Sequence, residues 1–420
     1  MRPDPTGARI RSRGLPTLAF RRDPPVHRQD WGSVLTQRFS AVEQSDINGL
    51  LALYRQVYGS GYALPIGTDP AVTAREIAAP NTTWLAAREP AGGRIVGTII
   101  GTLDPEERLG KLQGLVIHPE ARGTGLAHLA VRQLAEALLS GAGDRPPADS
   151  VYATARTNST APQRVCLSAG FRALGIFPNL RKADEHETMV LLAKHRPGVL
   201  DRRLPVERVP AGLADLVRAL HQAVGLPEQP LPAIDHEPLP ERRRRSADVE
   251  MEFVDAPRFV ARRTAEALPD PEQRFYPFHT PNVLLSSADG AHEVYAQLNR
   301  TDGYCALIGT AGGAFATLAP VFEGLVARLA EGGASHIEAL LPLDRYEDLR
   351  LLLAHGFLPA AAYPAMRRQG EGFRDYVVMT RSLQPLDFRG LSIDAAFQPF
   401  TEQYIELWKQ QYLNTHEVFQ

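Results

Sequence analysis

Thirteen residues constrain this chain more than any others: Leu115, Val116, Ile117, His118, Pro119, Glu120, Ala121, Arg122, Gly123, Thr124, Gly125, Leu126 and Ala127. A short apolar run with β-branched residues leads through a proline and two closely spaced glycines. Leu126, Leu129, Ala130, Leu134 and Leu138 then recur at the spacing of one helix face. A strand that turns through glycines directly into an amphipathic helix belongs to a fold in which helices cover a sheet. The same geometry aims several unpaired backbone N–H groups and the positive end of the helix dipole at one spot. Such a spot binds an anion, most naturally a pyrophosphate. Side chains at 123 and 125 would hold the backbone away from the phosphate oxygens, so glycine suits both positions. Arg122 is placed to add a fixed positive charge.

The flanking sequence extends this unit. Phe39 to Val42 starts a strand, and Ser45 with Asp46 caps a helix through Val57. A second helix runs from Ala71 to Ala78. Thr83 to Arg88 and Arg94 to Thr102 read as strands joined by a turn at Ala91-Gly92-Gly93. Leu112 to Ile117 is a further strand. After the helix that opens at Leu126 come a strand over Val151 to Arg156, a helix over Pro162 to Ala169, and a last strand over His186 to Ala193. The predicted order β-α-α-β-β-β-α-β-α-β describes an α/β fold, with a mixed sheet flanked by helices.

Residues 1–36 hold seven arginines and five prolines with little apolar periodicity, and read as a disordered tail. Residues 196–247 are punctuated by prolines. They read as a linker carrying one short amphipathic helix on Leu213, Leu216, Val217, Leu220 and Val224, and Arg242 to Arg245 read as a solvated turn. A net charge of -2 gives no global basic surface, so nucleic acid is not an expected partner. Cys166 and Cys305, the two cysteines, cannot build a disulfide framework or a Cys-rich zinc site, and the 12 histidines show no metal-binding spacing. No apolar run reaches the roughly 18 residues that cross a bilayer, so no membrane partner is expected. The expected location is cytoplasmic.

Arg122-Gly123-Thr124-Gly125-Leu126-Ala127 resembles the Q/R-x-x-G-x-G/A acetyl-coenzyme A loop of the GNAT N-acetyltransferase superfamily. The strand ending at His118-Pro119, the helix that follows, and Asn158 before a helix ending in Ala169-Gly170-Phe171 fit the same family. The resemblance covers about residues 39–195. A nucleotide triphosphatase loop would need Lys-Ser/Thr after the glycines, and a dinucleotide fold a third glycine and a later acid. Neither is present.

The resemblance implies an N-acetyltransferase that moves an acetyl group from acetyl-coenzyme A to the primary amine of a small molecule, by direct attack in a ternary complex. It places the pantetheine arm on the backbone of Leu115, Val116 and Ile117, the pyrophosphate on residues 122–127, and Asn158 and Gln163 beside the coenzyme. The tyrosine that many members use as proton donor is replaced by Cys166, which leaves that thiol as the candidate acid. Asp104, Glu106, Glu107, His118 and Glu120 are candidates for a general base, and Arg156 and Arg172 for a substrate carboxylate site. Two other readings stay open: an acyl-coenzyme A binding or sensing module without turnover, and a protein-lysine or N-terminal acetyltransferase.

The second half repeats the first. Gly170-Phe171 and Gly356-Phe357 lie 186 positions apart, as do Pro178 and Pro364, and each pair of motifs is followed by an apolar strand. Gly309-Thr310-Ala311-Gly312-Gly313-Ala314 falls near the position of the coenzyme loop but lacks its Arg or Gln. Leu352 stands where the first half has Cys166. The expected organisation is therefore a tail (1–36), a GNAT domain holding acetyl-coenzyme A (37–195), the linker (196–247), a degenerate GNAT-like domain (248–384) and an extension (385–420). Each domain is expected to be a mostly antiparallel sheet flanked by helices. In the extension Phe397, Phe400, Tyr404, Leu407, Trp408 and Tyr412 fall at helical spacing, a stripe that either docks on its own core or makes a homodimer contact.

Overall fold

The computed structural model describes residues 39–59, 64–89, 93–141, 145–182, 186–226, 231–240 and 250–413. The arginine-rich tail, Ala91-Gly92 of the expected hairpin turn and the four consecutive arginines lie outside them.

The first half runs β1 (Ser40–Ala41), α1 (Ile47–Tyr58), α2 (Pro70–Ala78), β2 (Thr82–Arg88), β3 (Ile95–Asp104), β4 (Leu109–Ile117), α3 (Leu126–Ser140), β5 (Ser150–Arg156), α4 (Ala161–Ser168), β6 (Arg172–Lys182) and β7 (His186–His195). Next come β8 (Arg208–Pro210), α5 (Ala214–Val224) and β9 (Ala233–Asp235). The second half contains β10 (Met251–Asp255), α6 (Pro257–Ala267), β11 (Val283–Ser287), β12 (Glu293–Asn299), β13 (Tyr304–Thr310), α7 (Phe322–Glu331), β14 (His336–Pro342), α8 (Tyr346–Ala354), β15 (Leu358–Gln369), β16 (Gly372–Ser382) and α9 (Gln398–Tyr412). Local sequence explains several of these starts. Asp69 caps α2 by accepting from the N–H groups of Ala71 and Val72, with Pro70 in the first turn, where a missing N–H costs nothing.

Fourteen strands form one continuous mixed sheet in the order β1-β2-β3-β4-β5-β7-β6-β15-β16-β14-β13-β12-β11-β10. The order reads the same outward from the β6–β15 seam in both directions. Each half has one parallel pair, β4 with β5 and β13 with β14, set among antiparallel neighbours. β8 and β9 make a separate two-stranded ribbon. Among the described residues no helix is long and apolar enough to cross a membrane.

Three features differ from the sequence expectation. β6 was absent from the predicted order, because Gly175 and Pro178 interrupt its apolar run. The two sheets are not separate, since β6 meets β15 at Gly175 and Ala361. A Cβ on Gly175 would lie 2.3 Å from the Ala361 Cα, so only glycine lets the strands close there. Finally, the segment read as a linker is built into the core: Leu216, Val217 and Leu220 of α5 are buried, and α5 packs on β6, β15 and α9. The aromatic stripe of α9 docks on the same core, with Phe397, Phe400 and Tyr404 at most 1% exposed.

Polar contacts reinforce the seam. Glu107, at the β3–β4 turn, accepts two 2.8 Å bonds from Arg367 on β15. The buried Asp149 carboxylate pairs with Arg196 and with Arg368. Tyr363 donates to Ser150 at 3.0 Å.

Candidate active site

β4 and β5 stay paired from Leu109–Ser150 to Leu112–Ala153 and then separate. The cause lies in β4. Its register with β3 shifts between Thr98 and Ile100, so that Gly114 and Leu115 together oppose Ile99. Gly114 takes a positive φ of 63°, as a bulge of this kind requires. Leu115, Val116 and Ile117 therefore turn one backbone edge toward a gap, with Thr154 to Arg156 of β5 on its far side.

The chain beyond β4 builds the second part of the site. His118 Nδ1 accepts from the Glu120 N–H at 3.3 Å, and Pro119–Ala121 forms one tight helical turn. Gly123 and Gly125 adopt φ of 77° and 84°, and a Cβ on either would meet nothing within 4 Å. Gly125 is the N-cap of α3. Among the described residues, no group accepts from the backbone N–H groups of Gly123 to His128. Thr124 Oγ1 closes the turn on the Ala121 carbonyl at 2.8 Å. Arg122 is exposed, with its Nε 3.4 Å from the Ile117 carbonyl. Leu126 is buried and fixes α3 on the sheet, while Ala127 is partly open. Free N–H donors, a helix N-terminus and an arginine surround open space there, an arrangement whose chemistry suits an anion.

The other sequence candidates divide. Asn158 is exposed just past β5, and its side chain makes no hydrogen bond among the described residues. Gln163 requires a correction. It is 0% exposed, and its amide nitrogen donates to the carbonyls of Arg156, Ser159 and Ser392 while its oxygen accepts from the Asp394 N–H. With both ends engaged, it ties α4 to the C-terminal extension and has nothing left for a coenzyme. Cys166 lies in the main core, and burial pushes its thiol up to about 12. Protonating an ordinary thiolate from such a group runs uphill by about 5 kcal/mol.

The base candidates are mostly engaged in structure. Asp104 accepts from the N–H groups of Glu106 and Glu107, Glu107 is held by Arg367, and Glu120 by Arg94 at 2.8 Å. Arg156 pairs with both carboxylate oxygens of Glu187 through its Nε and Nη2, which commits it away from a substrate carboxylate, whereas Arg172 is exposed.

The corresponding place in the second half is closed by its own chain. β13 carries a similar bulge, between the pairs Tyr295–Gly309 and Ala296–Leu307, and leaves β14 after Leu307–Ala339. A Cβ on Gly309 would lie 2.6 Å from the Gln273 carbonyl oxygen and 2.7 Å from Leu268. Thr317 crowds Gly312, and Gln273 crowds Gly313. The Ala316 N–H is already bound, at 2.8 Å, by the carboxylate of the buried Asp348.

The geometry is thus an open glycine turn at a helix N-terminus, set over strands that part at a bulge. Residues 49–145 match the acetyltransferase (GNAT) family. Solved structures with a similar fold include an acetyltransferase of the GNAT family from Streptococcus pneumoniae, at 21% identity over 38% of this chain and 99% of that one, with a TM-score of 0.32. A phosphinothricin acetyltransferase from Sinorhizobium meliloti, solved with acetyl-coenzyme A, aligns at 16% identity over 38% and 89%, with a TM-score of 0.33. A spermidine N-acetyltransferase chimera from Vibrio cholerae aligns at 12% identity over 38% and 95%, also with a TM-score of 0.33. No curated protein matches the chain.

Proposed function

We propose that the protein is an N-acetyltransferase that transfers the acetyl group of acetyl-coenzyme A to the primary amine of a small molecule. The observation that carries this reading is the row of N–H groups from Gly123 to His128, unpartnered among the described residues and facing space that a Cβ at 123 or 125 would fill. These groups and Arg122 suit a pyrophosphate. The edge of Leu115 to Ile117, released by the bulge, suits the amide groups of a pantetheine arm, and Asn158 is free to contact the same arm. A thioester held there faces the gap, and a backbone N–H on that edge can polarise its carbonyl.

The chain then contributes mainly proximity and orientation. The amine nitrogen forms a bond to the carbonyl carbon, the C–S bond breaks, and the proton released by nitrogen ends on the departing thiolate. We assign Cys166 to packing beneath α4 and not to that proton transfer, since burial makes its thiol a poor donor. The second half is, in this reading, a GNAT-like copy that has lost its coenzyme site and walls the acceptor side of the first.

Calorimetric titration of acetyl-coenzyme A, followed by an assay for thiol release with a panel of amines, tests the proposal. One site per chain is expected, with affinity falling at least about a hundredfold in Gly125→Glu, where a carboxylate enters the anion site. Absence of binding at millimolar ligand overturns the reading. Binding without thiol release from any amine converts it to an acyl-coenzyme A sensing module, and release with a protein amine alone to a protein acetyltransferase.

A further inference from the structure

A cavity of about 280 Å³ lies on the seam between the halves. Lys111 and Thr154 line it beside the last β4–β5 pair, and therefore at the gap just described. Phe177, Met189, Leu191, Leu340, Met366 and Val378 supply apolar walls from both halves. The second half adds a polar group to the lining: Tyr276, His279, Tyr304 and Glu338.

Glu338 is 5% exposed. Its Oε1 accepts from the hydroxyls of Tyr276 and Tyr304, the latter at 3.2 Å. Among the described residues its Oε2 is buried with no hydrogen-bond partner, and the nearest basic group, His336 Nε2, stands 3.8 Å away, beyond bonding distance. A buried carboxylate oxygen left in this state costs several kcal/mol unless a donor reaches it. The other ionisable groups around the cavity do not supply one. His279 is pushed below its usual pKa by burial, and its Nδ1–H is committed to the Pro277 carbonyl at 2.8 Å. The amine of Lys111, also pushed down by burial, sits over the Phe278 ring at 5.7 Å. Asp302 adds a second acid and accepts from Asn299. The rings of Tyr152, Phe177 and Tyr363 complete walls that favour a cation over an anion.

Resting on the acetyltransferase reading, we propose that this cavity is the acceptor site and that it selects a compact diamine. One amine lies beside Thr154, where β4 and β5 part, and is acylated there. A short apolar body fills the middle, and a second, protonated amine donates to Glu338 Oε2. A volume at the lower end of the ligand-site range admits a body of one ring and excludes long chains. Glu338 is then a specificity residue that the second half lends to the chemistry of the first.

The test is calorimetry on the full chain with three probes of one shape: 1,3-bis(aminomethyl)benzene, benzylamine and 3-(aminomethyl)benzoate. The diamine is expected to bind at least about tenfold more tightly than benzylamine, with the benzoate weakest. Glu338→Gln, in which an amide oxygen can still accept from both tyrosines, should bring the diamine down to the level of benzylamine. Met366→Trp fills the cavity without touching Glu338 and should weaken all three probes. Equal binding of diamine and benzylamine, a preference for the benzoate, indifference to Glu338→Gln, or no diamine binding at millimolar concentration overturns the proposal. Gly125→Glu should bind the diamine normally. If acetyl-coenzyme A neither binds nor turns over while diamine binding still depends on Glu338, the transferase reading fails and the cavity assignment stands.

Discussion

The turn after β4 and the turn after β13 occupy corresponding places in the sheet, and they differ in what satisfies their backbone. After β4, two glycines at positive φ open directly into α3, and the first N–H groups of that helix face open space. After β13, a tight helical turn at Phe315–Leu318 comes between the strand and α7, and Asp348, Gln273 and Leu268 fill the region. An internal carboxylate meets the same need that a phosphate would meet. The contrast teaches that a ligand site of this kind is a withheld hydrogen bond. It disappears when the chain provides its own acceptor, with no change to the sheet. What the second half shares with the first is the cavity wall and the seam.

The seam gives the largest expected effect. Arg203, just after β7, pairs with Asp375 of β16 through bonds of 2.9 and 3.0 Å, and their side chains are 7% and 1% exposed. Asp375 also accepts from the Ala365 N–H at 2.8 Å, where the chain adopts a positive φ of 48°. Asp375→Ala takes the carboxylate away from a buried guanidinium and a backbone donor, and should destabilise the protein by about 3–5 kcal/mol. Urea unfolding should remain a single transition that carries acetyl-coenzyme A binding with it, because both halves share one sheet. Two separated transitions, with binding kept through the first, would show that the open half does not need the closed one.

A smaller effect probes the same seam through pH. His195 ends β7, its Nε2–H donates to the Pro364 carbonyl at 2.8 Å, and its ring meets Tyr363 edge-on at 5.7 Å. Burial lowers its pKa to about 4, against an ordinary value of 6.5. The folded value lies below the unfolded one, so the unfolded state binds the proton more readily. The stability is complete above 6.5 and is lost as pH falls toward 4. Between pH 7 and 4.5 the loss attributable to this residue is about 2.5 kcal/mol. Urea midpoints at the two pH values should differ less in His195→Gln than in the wild type. An unchanged difference would mean that the seam tolerates a charged imidazole.

The glycine turn after β4 was legible because all its signals are local: a strand end, two glycines and an apolar helix face within one stretch of sequence. Gln163 shows the limit of that logic. It has the right chemistry beside the site, but one partner, Ser392, is 229 residues away, and only the fold shows that its amide is already bonded. β6 was hidden for a related reason. Gly175 and Pro178 are local turn signals, yet Gly175 is there to let Ala361 approach, a contact between strands 186 positions apart. Glu338 carried no motif at all. Its meaning comes from Tyr276, Tyr304 and the facing strands of the first half.

The smallest effect tests the contrast between the two turns at its source. Asp348 sits in the first turn of α8, and burial raises its pKa while the N–H of Ala316 holds it down. Asp348→Ala removes the acceptor from Ala316 and should cost about 1–2 kcal/mol in urea unfolding, the penalty of leaving one backbone donor dry. It should not create a second coenzyme site. The Gln273 carbonyl and Leu268 would still cover Gly309, and the helical turn at Phe315–Leu318 would still separate β13 from α7. Titration of the variant with acetyl-coenzyme A should therefore again give one site per chain. A second site would mean that a single carboxylate separates the open turn from the closed one, and that the covering segment yields to a ligand.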